Sequence, residues 1–159
     1  MAEEINNISL SSKRSFSIDG DLNRIIYLDT SDMNILVRLD ETYPEIRKLA
    51  IDAADRIVMS KTADGKDEDG KTPLSDISEI LKDIDKQMRK KLNYIFASDI
   101  ADICEPTGNM YDPVYGGFRF EHIIETLSTL YANNITAEFK KMQERVKKHT
   151  AKYTDKRRK

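Results

Sequence analysis

The sequence predicts a mainly α protein in which an N-terminal β-hairpin packs on a bundle of three to five helices with a long C-terminal helix. Apolar residues recur at steps of three and four over two long stretches, which begin at Leu74 and at Phe120. Near the N-terminus the period changes to two, as expected for strands. A chain of 159 residues is long enough to bury one core without a metal or disulfide.

The hairpin is predicted from two short segments. Residues 15–18 alternate polar and apolar, and residues 25–28 are β-branched or aromatic. Between them, residues 19–23 have the composition of a turn. Because an isolated hairpin is marginally stable in water, we expect it to pack on a helix or a partner.

Three helical stretches are predicted before residue 105. A short helix containing Ile35 and Leu39 is expected to stop before Pro44, and a second to run from Pro44 to Val58. The strongest pattern begins at Pro73 and persists to Phe96. The apolar residues at 100 and 103 either continue this helix or form another short one.

The last helix is predicted over residues 118–153, after a long turn-rich loop. At 1.5 Å per residue it would be about 50 Å long, which exceeds the width of a small domain. We therefore expect its distal end to project from the body. Around it we predict a flexible arm (1–13), a single helical domain (14–146) with a mobile charged loop (61–72), and a basic C-terminal tail (147–159).

Charge is distributed unevenly along the chain. Residues 138–159 contain ten Lys or Arg and three Asp or Glu, whereas the remainder carries 16 positive and 25 negative residues. A basic end on an acidic body can steer association over about 8–10 Å at cellular salt. The single cysteine, Cys104, and the absence of a long apolar run indicate a cytoplasmic protein.

Motifs for catalysis or cofactors are not evident, so we predict no enzyme, no metal and no cofactor. His122 and His149 would lie roughly 40 Å apart along one helix, and Cys104 and His122 could meet only through the fold. Residues 65–76 lack the first Asp and last Glu of a calcium loop. Gly116 and Gly117 suit a tight turn better than a phosphate loop.

Four features together resemble the tail assembly chaperones of long-tailed phages and prophages of Gram-positive bacteria. They are the hairpin over residues 16–29, the amphipathic helices, the Gly-Gly-Phe segment that precedes the last helix, and the Lys/Arg-rich helical end. The resemblance spans residues 14–159, and the charged segment at 61–71 departs from it. It implies a non-virion protein of the host cytoplasm that binds the tape measure protein, keeps it soluble and recruits tail tube protein.

The expected partner surface combines an aromatic loop with the end of the last helix. Its residues are aromatic, apolar or basic: Tyr111, Tyr115, Phe118, Phe139, Met142, Val146, Lys147, Lys148, Lys152, Arg157 and Arg158. Two other classes fit the same pattern, namely a structural virion component such as a head–tail connector subunit and a small nucleic-acid-binding regulator. The acidic body disfavours nucleic acid, no membrane partner is expected, and homo-oligomerisation is left open.

Overall fold

The computed structural model describes residues 13–62 and 73–157. Their elements, in chain order, are β1 (Lys13–Ile18), β2 (Asp21–Asp29), α1 (Asn34–Thr62), α2 (Pro73–Phe96), α3 (Ala101–Cys104), β3 (Pro113–Val114), β4 (Gly117–Phe118) and α4 (Arg119–Arg157). The predicted mainly helical fold, with its N-terminal hairpin and long last helix, is confirmed. Most of the predicted arm and charged loop lies outside the described residues.

The N-terminal hairpin pairs β1 and β2 antiparallel, with Phe16 opposite Ile26. Its turn is shorter than predicted, because β2 begins at Asp21. Asp19 and Gly20 both adopt positive φ, at 52° and 72°, which is the backbone twist that a tight two-residue connection requires. On one face of β2, Ile26 and Leu28 are buried in the core, so the hairpin is packed on the helices as expected.

The prediction of two helices around Pro44 is wrong, because α1 is a single helix with Pro44 inside it. A proline in a helix interior costs about 3 kcal/mol, since it removes one hydrogen bond and crowds the preceding turn. Here the same face of the helix is buried on both sides of Pro44, through Ile35, Ile46 and Ala53. Burial along one continuous face outweighs the local cost.

The predicted helix over residues 73–96 is confirmed as α2, which runs antiparallel to α1 with Lys91 beside Glu45. It ends at Phe96, and the next residue, Ala97, has a positive φ of 49°. The Asn93 side-chain oxygen then accepts hydrogen bonds from the N–H groups of Ile100 and Ala101, both at 2.9 Å. Residues 100–104 therefore form a separate short element instead of continuing α2.

The turn-rich segment before α4 contains a second, very small hairpin that the sequence did not predict. Val114 pairs with Gly117 across a two-residue turn. Both turn residues, Tyr115 and Gly116, have positive φ (50° and 79°), so Gly116 serves the tight turn, whereas Gly117 begins β4. Each strand has only two residues, too few for a periodic pattern.

Helix α4 extends from Arg119 to Arg157, four residues further than predicted. Its first half buries Phe120, Ile124, Leu127 and Tyr131 in the core. The predicted boundary between domain and tail at residue 146 does not coincide with a break in the helix. Among the described helices, none has an apolar stretch long enough to cross a bilayer.

Candidate protein-interaction surface

The loop before α4 carries Tyr111, Tyr115 and Phe118, and we call it the aromatic loop. It is held in place by one arginine of α2. Arg89 donates hydrogen bonds to the carbonyl oxygens of Glu105 and Gly108, each at 2.6 Å, and is ion-paired with Asp85 at 2.9 Å. Asp85 in turn accepts a 2.8 Å hydrogen bond from the N–H of Met110, whose side chain is fully buried. These contacts give the loop a fixed conformation on the body.

Two of the three predicted aromatic anchors are engaged inside the protein. The rings of Tyr111 and Phe118 are stacked with centroids 4.4 Å apart, and Phe118 also stacks on Phe120 at 5.7 Å. The Tyr111 hydroxyl donates to the carbonyl of Ala50 at 3.0 Å, and burial raises the pKa of this tyrosine. Tyr111 and Phe118 are therefore half-buried, and these contacts shape the loop.

The third aromatic residue, Tyr115, is available for contact. It is 89% exposed at the tip of the β3–β4 hairpin, and its ring lies 4.6 Å from that of His122. The loop thus presents one highly exposed aromatic side chain, Tyr115, and two half-buried ones, Tyr111 and Phe118.

The first turn of α4 is joined to the preceding loop by an ion pair. Glu105 forms a 2.7 Å ion pair with Arg119 and accepts a 2.6 Å hydrogen bond from the N–H of Gly108. Burial alone would raise the pKa of Glu105. The Gly108 hydrogen bond and the Arg119 charge outweigh it, so its pKa lies below the usual 4.5. The carboxylate therefore stays ionised and joins the loop to the first turn of the helix.

The middle of α4 is fastened to the junction between β2 and α1. The Tyr131 hydroxyl donates to the carbonyl of Asp32, and the Asn134 amide donates to the carbonyl of Thr30 at 3.0 Å. Burial, together with the charges of Asp32 and Asp29, raises the pKa of Tyr131. The sequence pattern identified Tyr131 only as an apolar position of the helix. It did not single out Asn134, because a polar residue at that position is compatible with any amphipathic helix.

Beyond these hydrogen bonds, α4 extends away from the rest of the protein. Every residue from 139 to 152 is exposed, a length of about 20 Å. The predicted apolar residues Phe139, Met142 and Val146 are 45%, 56% and 65% exposed. We call residues 139–152 the distal segment and these three residues its apolar stripe.

The apolar stripe continues the buried face of the same helix. Phe120, Ile124, Leu127, Tyr131 and Ile135 step by four, three, four and four, and Phe139, Met142 and Val146 follow at steps of four, three and four. Residues at these spacings share one side of an α-helix. Phe139 and Met142 also border a groove of about 410 Å³ whose other wall includes Met33 and Thr30.

The predicted basic residues lie on this projecting helix. Lys147, Lys148 and Lys152 are exposed. Arg157 is the last residue of α4, and Arg158 lies outside the described residues. Six Lys or Arg and one acidic residue, Glu144, fall within the distal segment, so its charge is strongly positive.

Cys104 and His122, which spacing alone could not bring together, line one cleft of about 330 Å³ beside Arg119. Burial raises the pKa of Cys104 to about 11, which disfavours the thiolate that nucleophilic or metal chemistry needs. His149 lies on the distal segment, well away from this cleft. Within residues 13–62 and 73–157, no cluster of three His, Cys, Asp or Glu side chains is placed to hold a metal ion.

No known protein-family model matches the chain, and no curated protein or solved structure is significantly similar to it. The distal segment and the neighbouring groove are therefore the basis for assigning a function. An apolar stripe with flanking positive charge is typical of surfaces that contact another protein.

Proposed function

We propose that this protein is a phage tail assembly chaperone that binds the tape measure protein, keeps it soluble and recruits tail tube protein in the host cytoplasm. One observation carries the proposal: the core-facing stripe of α4 continues for three apolar residues beyond the body. Within a folded domain such a face is covered by other elements, and here it is exposed. The identity of the partner comes from the resemblance of the sequence.

The exposed stripe supports helix binding in particular. A partner helix can lie along Phe139, Met142 and Val146 and extend its apolar side chains into the groove beside Met33. A tape measure protein with long apolar helices would gain solubility, because the contact removes apolar surface from water. The surrounding lysines keep the complex soluble and favour an acidic partner.

Co-expression with a tape measure fragment tests the proposal. We expect the wild-type chain to raise the soluble fraction of the fragment and to co-elute with it in gel filtration. The variant Val146→Glu should abolish both effects, because it places a charge within the contact. Ile51→Glu, at a similarly exposed site on α1, is the matched control and should bind as wild type. Unchanged solubility together with no complex would refute the chaperone function.

Truncation tests the electrostatic contribution. Removing residues 147–159 should weaken binding to the same fragment more at low salt than at high salt, because screening already reduces the attraction at high salt. An equal loss at both salt concentrations would exclude steering by the basic end while leaving the apolar contact intact.

The excess of positive charge on the distal segment also favours a second candidate, a small nucleic-acid-binding regulator. Phosphate contacts of Lys147, Lys148 and Lys152 would give duplex binding with a steep dependence on salt. Charge reversal of these lysines would then abolish duplex binding, whereas Val146→Glu would have little effect. The chaperone proposal predicts the opposite ranking of the two variants in its own binding assay.

A further inference from the structure

The antiparallel pair of α1 and α2 has an open groove on its outer face. One section is bordered by Leu49, Asp52 and Ile84, and the other by Glu41 and Tyr94, and both include Gln87. Together they run along about 14 residues of α2, or roughly 20 Å. We call this surface the α1–α2 groove. It is distinct from the groove beside Met33.

The charge of the α1–α2 groove is negative. Its first section carries Asp52, Asp55 and Asp83 against a single cation, Arg56. In the second section Glu41 and Glu45 face Lys90 and Lys91, and Lys91 is already paired with Glu45 at 2.6 Å. The acidic excess therefore lies at the first section, around an apolar floor of Ala53, Ile80 and Ile84.

We propose that the distal segment of a second copy of this chain occupies the α1–α2 groove, so that two copies associate by exchanging their basic helical ends. The segment and the groove are similar in length. The segment carries six cations and one anion, and the groove carries five anions and three cations. Two antiparallel helices with an open groove are completed by a third helix.

Positions on the distal segment suit this arrangement. On a helix, Arg145 and Lys152 flank the apolar stripe on one side, and Lys140 and Lys147 flank it on the other. When Met142 and Val146 face the floor of the groove, cations on both flanks approach its carboxylates. Such a contact gains both from apolar burial and from opposite charge.

Pairing of two distal segments with each other is disfavoured by the same charges, since cations on both flanks would meet cations. The segment is also exposed along its whole length on its own body, so it is not the occupant of its own groove. Because the basic end does not reach the acidic groove of its own chain, the groove of a second copy is a complementary surface for it.

This inference does not depend on the proposed chaperone function. It adds a consequence if both hold: because the same stripe serves both contacts, a bound tape measure helix and the second copy would compete. Self-association can be measured with the purified chain alone. An absence of self-association would not contradict the proposed chaperone function.

Charge reversal on each side tests the contact by sedimentation equilibrium. The groove variant Asp52→Lys/Asp83→Lys and the helix variant Arg145→Glu/Lys147→Glu change exposed residues only. Each alone should raise the dimer dissociation constant by about ten-fold or more, because like charges then meet. An equimolar mixture of the two should regain dimerisation, since both contacts in the mixed dimer again join opposite charges.

The outcomes separate the alternatives. If the groove variant dimerises as wild type while the helix variant does not, the distal segment binds a different surface of the second copy and the proposal fails. A wild-type chain that stays monomeric at all concentrations and salts also overturns it.

Cross-linking provides the second test, in a Cys104→Ser background. Oxidation of a chain with both Gln87→Cys and Val146→Cys should give intermolecular disulfides, whereas Ile51→Cys with Val146→Cys should give few. Equal yields from both pairs would mean random collision and would contradict the docking geometry.

Discussion

The two halves of α4 have the same apolar spacing and opposite environments. Phe120 is 1% exposed and Phe139 is 45% exposed, although both lie on the same side of one helix. The first half packs on α2 and the small β3–β4 hairpin, and it is fastened by Tyr131 and Asn134. The second half extends into solvent. An amphipathic pattern therefore indicates that a face will be covered, but it does not say by what.

Truncating the same residue type in each half should give the largest difference. Phe120→Ala leaves a cavity in the core and should lower the free energy of unfolding by about 3–5 kcal/mol. Phe139→Ala should change it by less than about 0.5 kcal/mol, because the residue lies on the surface and is 45% exposed. Urea denaturation followed by circular dichroism measures both. Equal losses would mean that the distal half is packed as firmly as the proximal half.

Amide hydrogen exchange should separate the halves residue by residue. A helix without tertiary contacts is only marginally stable in water, whereas a packed one opens with much of the global unfolding free energy. We expect amides of residues 141–152 to exchange about 100-fold faster than those of residues 122–133. Similar protection in the dilute chain, where dimers are absent, would contradict this contrast.

Thiol reactivity should differ by a smaller factor. Burial raises the pKa of Cys104 to about 11, so little thiolate is present at pH 8. The thiol introduced by Val146→Cys, in a Cys104→Ser background, should react with iodoacetamide about ten-fold faster or more than Cys104 of the wild type. A faster reaction at Cys104 would indicate that the cleft beside His122 opens readily.

The smallest effect concerns the pH dependence of the attachment of α4 to the body. The pKa of Glu105 is lower in the folded protein than its usual 4.5, so its ionised form contributes stability that is present above that pH. As the pH falls below 4.5 the contribution is lost. Glu105→Gln should be less stable than wild type at pH 7, and this difference should shrink as the pH falls. A constant difference would show that protonation of Glu105 is not linked to folding.

The periodic parts of the fold could be predicted because their periods are local. Alternation in residues 15–18 and the steps of three and four after Leu74 and Phe120 reflect strand and helix geometry directly. The prediction of a helix end before Pro44 was wrong because it considered only the local cost of a proline within a helix. It left out the burial of Ile35 and Ile46, which lie on either side of Pro44.

The partner surface could be predicted only in part. We predicted that Phe139, Met142 and Val146 would be exposed because the last helix is longer than a small domain is wide. All three are exposed. Tyr111 and Phe118 carried the same aromatic signal as Tyr115, but the contact with Ala50 and the stacking on Phe120 take them inward. A residue type shows what a side chain can contact, and only the fold shows which contacts are already made.

The sequence by itself determined the helical class, the N-terminal hairpin and the continuous apolar stripe of the last helix, since each follows from spacing along the chain. Only the tertiary structure decided where that stripe ceases to be buried. This depends on where the contacts of α4 with the rest of the protein end, at the hydrogen bonds of Tyr131 and Asn134 to the β2–α1 junction. The tertiary structure also formed the acidic α1–α2 groove, whose carboxylates come from distant parts of the chain. Contacts between residues far apart in sequence have no period, so no local pattern records them.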